Sequence, residues 1–578
     1  MPFDEYLGKI QERIKTAFKD EFQQELPGDS VRLEAPPKPE MGDLAFPCFP
    51  LARLLKTAPQ RIASQLAARI LPGDEIEKAA SEGGYLNLFF NQTRFIGMVL
   101  REVHSKNEAY GNNRDGEGRV ALIEYSSPNT NKPLHLGHLR NNVLGMATAN
   151  LLEASGYKTV KVNLINDRGV HICKSMLAYQ KWGNGETPTT SGLKGDHLAG
   201  KYYVLFESRL KEDPALEEEA QEMLRKWEAG DGETLALWKK MNAWVYEGFQ
   251  ETYRRMGTAF DKWYYESDTY RLGKDLVQQG LEKGVFYRRE DGAVEVDLTT
   301  HGFDKKVLLR PNGTAVYITQ DIGTAKLKYD DYAFFRSLYV VANEQDYHFN
   351  VLFKILELLG FGWAAGCVHL SYGMVELPEG KMKSREGTVV DADDLLDELK
   401  DLAREAILER RDDYDSGELE ERAEEIGQGA LKYFLLKVNP KNNIQFNPKE
   451  AIAFEGATGP YIQYSHARIQ SILRKAGDLS FASVDLSVLG AREEFSLAKE
   501  LYGFPEEIRK AAQEYNPARI SEAGWRIAKE LSKFYKENQV LKAETEELRL
   551  ARLFMIHCTA VVLRKILSLL GIAAPERM

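Results

Sequence analysis

Two short stretches of this 578-residue chain carry residue types suited to phosphate chemistry: Lys132-Pro-Leu-His135-Leu-Gly137-His138 and Lys381-Met-Lys383-Ser384-Arg385-Glu-Gly387. The first follows an apolar run, Val120 to Ile123, and precedes a segment with Leu139, Val143, Ala147 and Leu151 on one face. That pattern predicts a strand-to-helix turn, where α/β folds bind nucleotides. Glycine permits close backbone approach, helix amides face an anion, and two imidazoles separated by Leu136 and Gly137 can both point at a triphosphate. The second stretch follows a predicted strand, Cys367 to Leu377, and supplies a cationic loop. Together the two suit adenylyl transfer, in which a carboxylate attacks the α-phosphate of ATP while charge on the departing pyrophosphate is stabilised. Other readings of the same residues are a structural histidine, an i, i+3 metal pair or a solvated basic loop. No acidic or Cys third ligand is placed for metal, so no metal site is expected.

The elements around these stretches have a consistent order. Residues 1–110 read as a small α+β domain. It has an amphipathic helix through Tyr6, Ile10, Ile14 and Phe18, a second helix from Gln60 to Ile70 and a strand from Gly84 to Phe90. Across 118–395, one βαβ unit runs from Val120 to a strand at Val160–Ile165. A second runs from Leu338–Ala342, through a helix ending near Leu359, to Val368–Val375. Two such halves predict a doubly wound parallel sheet, with a long insertion between them at about 175–300. The remainder reads as helical, a segment at 396–450 and an all-α bundle at 451–578.

His135-Leu-Gly-His138 resembles the HIGH signature of class I aminoacyl-tRNA synthetases, and Lys381-Met-Lys-Ser-Arg385 resembles a variant of their KMSKS loop. The longer string Glu124-Tyr-Ser-Ser-Pro-Asn-Thr-Asn-Lys-Pro-Leu-His-Leu-Gly-His-Leu-Arg140 is similar to the arginyl-tRNA synthetase form, and the resemblance extends to Ala574-Pro-Glu-Arg-Met578. It implies a Rossmann-type (HUP-like) catalytic domain with His135, His138 and Lys381 catalytic, and Gly137, Lys383, Ser384 and Arg385 on ATP. Ser384 stands where the signature usually has its second lysine. Lys132 is the candidate to supply that charge, with Lys383 and Arg385 as the alternatives.

Arginine demands carboxylates at two edges of its planar fork and an apolar or aromatic wall. The resemblance supplies Glu124 and Asp321 as those acids and Tyr317 as the wall, and places Ser127, Asn129 and Gln345 around the α-amino and carboxylate end. Each has an ordinary alternative: a strand-end charge for Glu124, a helix cap for Asp321, plain core for Tyr317. Gly456-Ala-Thr-Gly-Pro-Tyr461-Ile-Gln-Tyr464-Ser-His466-Ala-Arg468 resembles the start of the family's anticodon-binding bundle. Tyr461, Tyr464 and Arg468 are the candidates for tRNA contact, packing being the alternative for the tyrosines. The implied partners are ATP with Mg2+, L-arginine and tRNA(Arg), with tRNA required for activation and the N-terminal domain on the tRNA elbow. A small-molecule nucleotidyltransferase or an inactive RNA-binding relative would share some of these motifs.

Composition is compatible with this. The net charge is −11, so tRNA contact must come from local Lys and Arg patches. The four cysteines, at 48, 173, 367 and 558, have no CxxC spacing and suit a reducing compartment. Without a basic and apolar leader or a long apolar run, a cytoplasmic protein is the expectation. A monomer is expected as well.

Overall fold

The computed structural model describes residues 3–26, 31–377, 390–410 and 415–578. Lys381, Lys383, Ser384 and Arg385 therefore lie outside the described residues.

At the centre is a sheet of β1 (Val120–Glu124), β2 (Lys158–Ile165), β3 (Lys262–Tyr265), β4 (Arg336–Ala342) and β5 (Cys367–Tyr372). The strands pair in the order β5-β4-β1-β2-β3, each pair parallel. This is the doubly wound order, whose winding reverses between β1 and β4. The apolar run of β1 is explained by burial on both faces. Ala121 and Ile123 join one core with Leu338 and Val340, while Leu122 and Tyr339 join the core on the opposite face.

The helices that matter for the site are α1 (Leu136–Ala154), α2 (Gly195–Leu210), α3 (Gly232–Met256), α4 (Tyr317–Tyr332), α5 (Asp346–Leu358) and α6 (Ala392–Leu408). Leu139, Val143, Ala147 and Leu151 of α1 are buried as their spacing predicts. Arg140, Asn141 and Asn142 are buried too, because the helix is enclosed on its far side by α6 and the C-terminal helices. Arg140 is accommodated by donating Nη2 to the carbonyls of Pro440 (2.7 Å) and Asn442 (2.8 Å). Gly145 is where α1 crosses the end of β1, and any Cβ there would collide with the Tyr125 ring.

Three stretches differ from the sequence-based expectation. The strand expected over Cys367–Leu377 ends at Tyr372, and Val375–Glu376 pairs with Ile444–Gln445 instead. The break falls at Gly373, whose N–H donates to the Pro440 carbonyl (2.9 Å) and where a Cβ would lie 2.5 Å from the Asn442 carbonyl. The insertion expected over 175–300 is interrupted, because Lys262–Tyr265 returns to the central sheet as β3 and pairs with Val162–Ile165. A separate antiparallel sheet of Tyr287–Arg288, Val294–Val296 and Lys306–Leu309 follows it. Beyond residue 393 the chain is helical apart from Ile444–Gln445 and connecting segments.

In the N-terminal part, the helix Phe3–Phe22 buries Tyr6, Ile10, Ile14 and Phe18 over a three-stranded sheet. Residues further along this part join the helical bundle: Asp43 accepts from Lys499 of the helix Arg492–Glu514 (2.7 Å), and the Thr93 hydroxyl donates to the Leu489 carbonyl just before that helix (3.0 Å). No helix among the described residues is long and apolar enough to cross a membrane.

Candidate active site

At the C-terminal end of β1 the chain makes a turn that L-residues rarely adopt, with φ of 74° at Ser126 and 45° at Ser127. Side chains from three elements hold it there. Ser126 N–H donates to Asn141 Oδ1 (2.6 Å), and Asn141 in turn donates to the Val340 carbonyl (2.7 Å). Ser127 N–H donates to Asn163 Oδ1 (3.0 Å), and the Ser126 and Tyr253 hydroxyls are 2.5 Å apart. The chain then pairs with Asn166 through Pro128 and Thr130, leaving Asn129 exposed.

His135 is the N-cap of α1. Its Nδ1 accepts from Gly137 N–H (3.1 Å), while His135 N–H donates to Nδ1 of His138 (3.2 Å). The two ring centroids are 3.9 Å apart. With both Nδ1 atoms accepting, each neutral ring carries its proton on Nε2. Burial, with Lys132 adding to it and Asp391 opposing, pushes His135 down to about 4. Burial, His135 and Lys132 hold His138 well below the usual imidazole range. Near neutral pH the turn therefore offers two N–H donors at the positive end of a helix. Lys132 is half-buried, its ammonium pKa lowered by burial, and no carboxylate partners it among the described residues. From the other side, Leu136 N–H donates to the Val390 carbonyl and Ala392 N–H to the Leu134 carbonyl (3.0 Å each). The chain that resumes after the undescribed 378–389 stretch is thus fastened to the histidine turn.

The expected arginine-binding residues gather at the same edge of the sheet. Tyr317 opens α4 and is 77% exposed, with Asp321 one turn later on the same face. His348 of α5 donates Nε2–H to Asp321 Oδ2 (2.7 Å). Gln345 is exposed in the short turn joining β4 to α5, and Ser127 is half-buried. Glu124, the last residue of β1, is 5% exposed, and its Oε2 accepts from Lys328, which is 1% exposed and lies over the Tyr339 ring. Oε1 takes no part in that bond, so the carboxylate keeps acceptor capacity for a second cationic partner.

Glu266, the first residue after β3, is an acid whose charge also interacts with that of Asp321. Burial raises it to about 7; Arg168 opposes the rise, and the charges of Asp167 and Asp321 add to it. Asp167 secures this segment by accepting from Ser267 N–H (2.8 Å), the Ser267 hydroxyl (2.7 Å) and the Tyr246 hydroxyl (2.9 Å). Arg168 is stacked 3.9 Å from the Tyr270 ring and paired with Glu228 at 2.6 Å. Glu266, His348 and Lys328 were not singled out from the sequence. Glu124 was marked by the family resemblance, and the acid that ends the short aromatic run Lys262-Trp-Tyr-Tyr265 carries no motif of that kind.

In the helical bundle, Tyr461 turns inward, its hydroxyl 2.9 Å from the Ser532 hydroxyl and 3.3 Å from the Ala528 carbonyl. Tyr464 and Arg468 are exposed one turn apart on the helix Gly459–Ala476, with Arg468 over the Tyr535 ring at 4.6 Å.

A doubly wound sheet carrying a paired-histidine turn at its switch point, with a helical bundle behind it, defines a class I aminoacyl-tRNA synthetase. Family models agree along the chain. One described as "tRNA synthetases class I (R), catalytic domain" matches residues 100–448, "Arginyl tRNA synthetase N terminal domain" matches 8–90, and "DALR anticodon binding domain" matches 462–578. Curated arginine–tRNA ligases are similar over their whole length. That of Treponema denticola is 48% identical over 95% of each chain, and that of Parabacteroides distasonis 47% identical over 99% of each. The solved arginyl-tRNA synthetase of Thermus thermophilus superposes with a TM-score of 0.80 at 30% identity, covering 99% of each chain. The Plasmodium falciparum structure shares the fold, with a TM-score of 0.77 at 18% identity and the same 99% coverage. The chain belongs to the arginyl-tRNA synthetase family.

Proposed function

We propose that this chain ligates arginine to tRNA(Arg), first forming arginyl-adenylate and pyrophosphate from ATP and L-arginine, then passing the arginyl group to the tRNA 3′ end. The observation that carries this is one sheet edge with an anion-receiving histidine turn at β1 and an acidic pair, Asp321 and Glu266, beyond it. Neutral His135 and His138 donate Nε2–H to the phosphates, with the positive end of the α1 dipole and the Lys132 ammonium favouring the negative charge that develops as pyrophosphate departs. Lys381, Lys383, Ser384 and Arg385 complete the ATP site as the signature implies, and magnesium enters on the nucleotide's phosphates and water.

Asp321 and Glu266 take two edges of the guanidinium against the Tyr317 ring. Ser127, Asn129 and Gln345 face the α-ammonium and carboxylate end, and Glu124 supports the site through Lys328. A fixed guanidinium fork selects against neutral citrulline, which would leave a desolvated carboxylate unpaired at about 3–5 kcal/mol. On the tRNA side, Tyr464 and Arg468 suit stacking on unpaired bases, and Tyr461 supports them from within. The enzyme works as a cytoplasmic monomer. Charging of tRNA(Arg) transcripts with each radiolabelled amino acid tests the reading. Acid-precipitable counts with arginine alone support it. Adenylyl transfer to a small molecule with no charging of tRNA would replace it with a nucleotidyltransferase.

A further inference from the structure

Behind the histidine turn, an ion-pair cluster joins the helical insertion to the segment that carries Asp391. His197, in the first turn of α2, places Nδ1 3.3 Å from Asp196 Oδ1 and Nε2 3.0 Å from Asp391 Oδ2. Asp391 Oδ1 accepts from the N–H groups of Asp393 (2.8 Å) and Asp394 (3.2 Å), capping α6. Lys194 bonds Asp393, lies 3.3 Å from Asp196 Oδ2 and donates to the Thr252 hydroxyl of α3 (2.6 Å). Each ring nitrogen of His197 faces a carboxylate, so the ring needs both protons and is a cation. Burial opposes that charge, yet Asp196 and Asp391 raise His197 to about 10. His197, Asp391 and Asp393 bring possible metal-ligand atoms within 4.8 Å of one another, but the cations already there are Lys194 and His197.

Asp391 is also the bridge partner of His135. Burial and Lys132 disfavour the protonated ring of His135, and Asp391 favours it. Protonation would remove the Nδ1 lone pair that accepts from Gly137 N–H and so undo the cap that orients both rings.

We propose that His197 is a positioning residue for adenylyl transfer: its charged ring fastens Asp391, and with it the chain at Val390–Ala392 that bonds the histidine turn, to the insertion, and offsets that carboxylate's field at His135. His197 acts through Asp391 and touches no substrate. The inference rests on the proposed role of the histidine turn, so its test reads His135 directly, apart from activity.

The full chain is prepared with isotope-labelled histidine, and the His135 resonance, assigned by its loss in His135→Gln, is titrated by NMR. In His197→Gln, His135 should titrate higher by about one pH unit or more, the effect of an opposite charge within roughly 6 Å. In parallel, the ATP–pyrophosphate exchange rate of that variant should fall off at a correspondingly higher pH on the acid side. Asp391→Asn keeps a cap without the charge, so adding it to His197→Gln should return the titration to its starting position. His197→Lys, which keeps a cation, should leave it near the wild-type position and covers failure of the glutamine variant to fold. An unmoved titration in His197→Gln, or no return in the double variant, overturns the proposal. A moved titration with an unmoved exchange profile shows the electrostatic link with no part in adenylyl transfer, and overturns the proposal together with the catalytic role given to His135.

Discussion

Arginine binding should be linked to a proton near neutral pH, and the linkage should run through Glu266. In the empty site burial holds this carboxyl at about 7, with Asp167 and Asp321 raising it and Arg168 opposing. A guanidinium placed between Glu266 and Asp321 requires both acids ionised. Because the raised group is neutral below its midpoint, affinity is full above pH 7 and lost as pH falls. For a group titrating near 7, the ionised share is roughly 9% at pH 6 and 91% at pH 8, so the dissociation constant for arginine should rise about tenfold over that interval. Calorimetry in buffers of different ionisation enthalpy should show nearly one proton released at pH 6 and little at pH 8. Glu266→Gln should flatten the profile and weaken arginine by about 2–5 kcal/mol, as expected when one partner of a desolvated charge pair is lost. His348, the other titratable ring against Asp321, is controlled by His348→Gln, which should leave the linkage intact. A dissociation constant that stays constant from pH 6 to 8, with no buffer-dependent heat, would refute the assignment of Glu266 to the guanidinium.

Lys132→Ala should slow adenylate formation about 10²-fold or more, the scale of one lost transition-state donor; near-normal exchange would move the role to Lys383 or Arg385. His138→Ala should lower kcat for exchange about 10²–10³-fold with the arginine KM unchanged, whereas a raised KM at normal kcat would make the ring a ground-state contact. Lys328→Met leaves Glu124 buried and unpaired and should cost about 3–5 kcal/mol in urea unfolding, most of it returned by Lys328→Met/Glu124→Gln. An undiminished single variant would show that Glu124 is not held as an anion.

What was legible in the sequence was local. The apolar run of β1, the glycine between the histidines and the four-residue spacing of Tyr317 and Asp321 each specify structure within a few residues, and the sheet order follows from two βαβ units. What was not legible depended on partners far away in the chain. Four residues, Lys262–Tyr265, are too few to show a period, and they form a strand only because β2 lies beside them. Glu266 inherits its place from that strand. The ion pair of Glu124 was out of reach because Lys328 lies 204 residues on. Gly373 reads as an ordinary strand residue until the chain at Pro440–Asn442 is seen pressing against it. The inward turn of Tyr461 likewise depends on Ser532, on a different helix.

The central claim is that the β1 histidine turn and the acidic pair beyond it act together on arginine and ATP. Amino-acid-dependent ATP–pyrophosphate exchange, run with and without tRNA(Arg), tests it most directly. Exchange should occur with arginine and not with citrulline, depend on tRNA as the family resemblance implies, and be abolished in an Asp321→Asn/Glu266→Gln variant that still folds. Exchange with citrulline comparable to that with arginine, or exchange that survives loss of both acids, would contradict it.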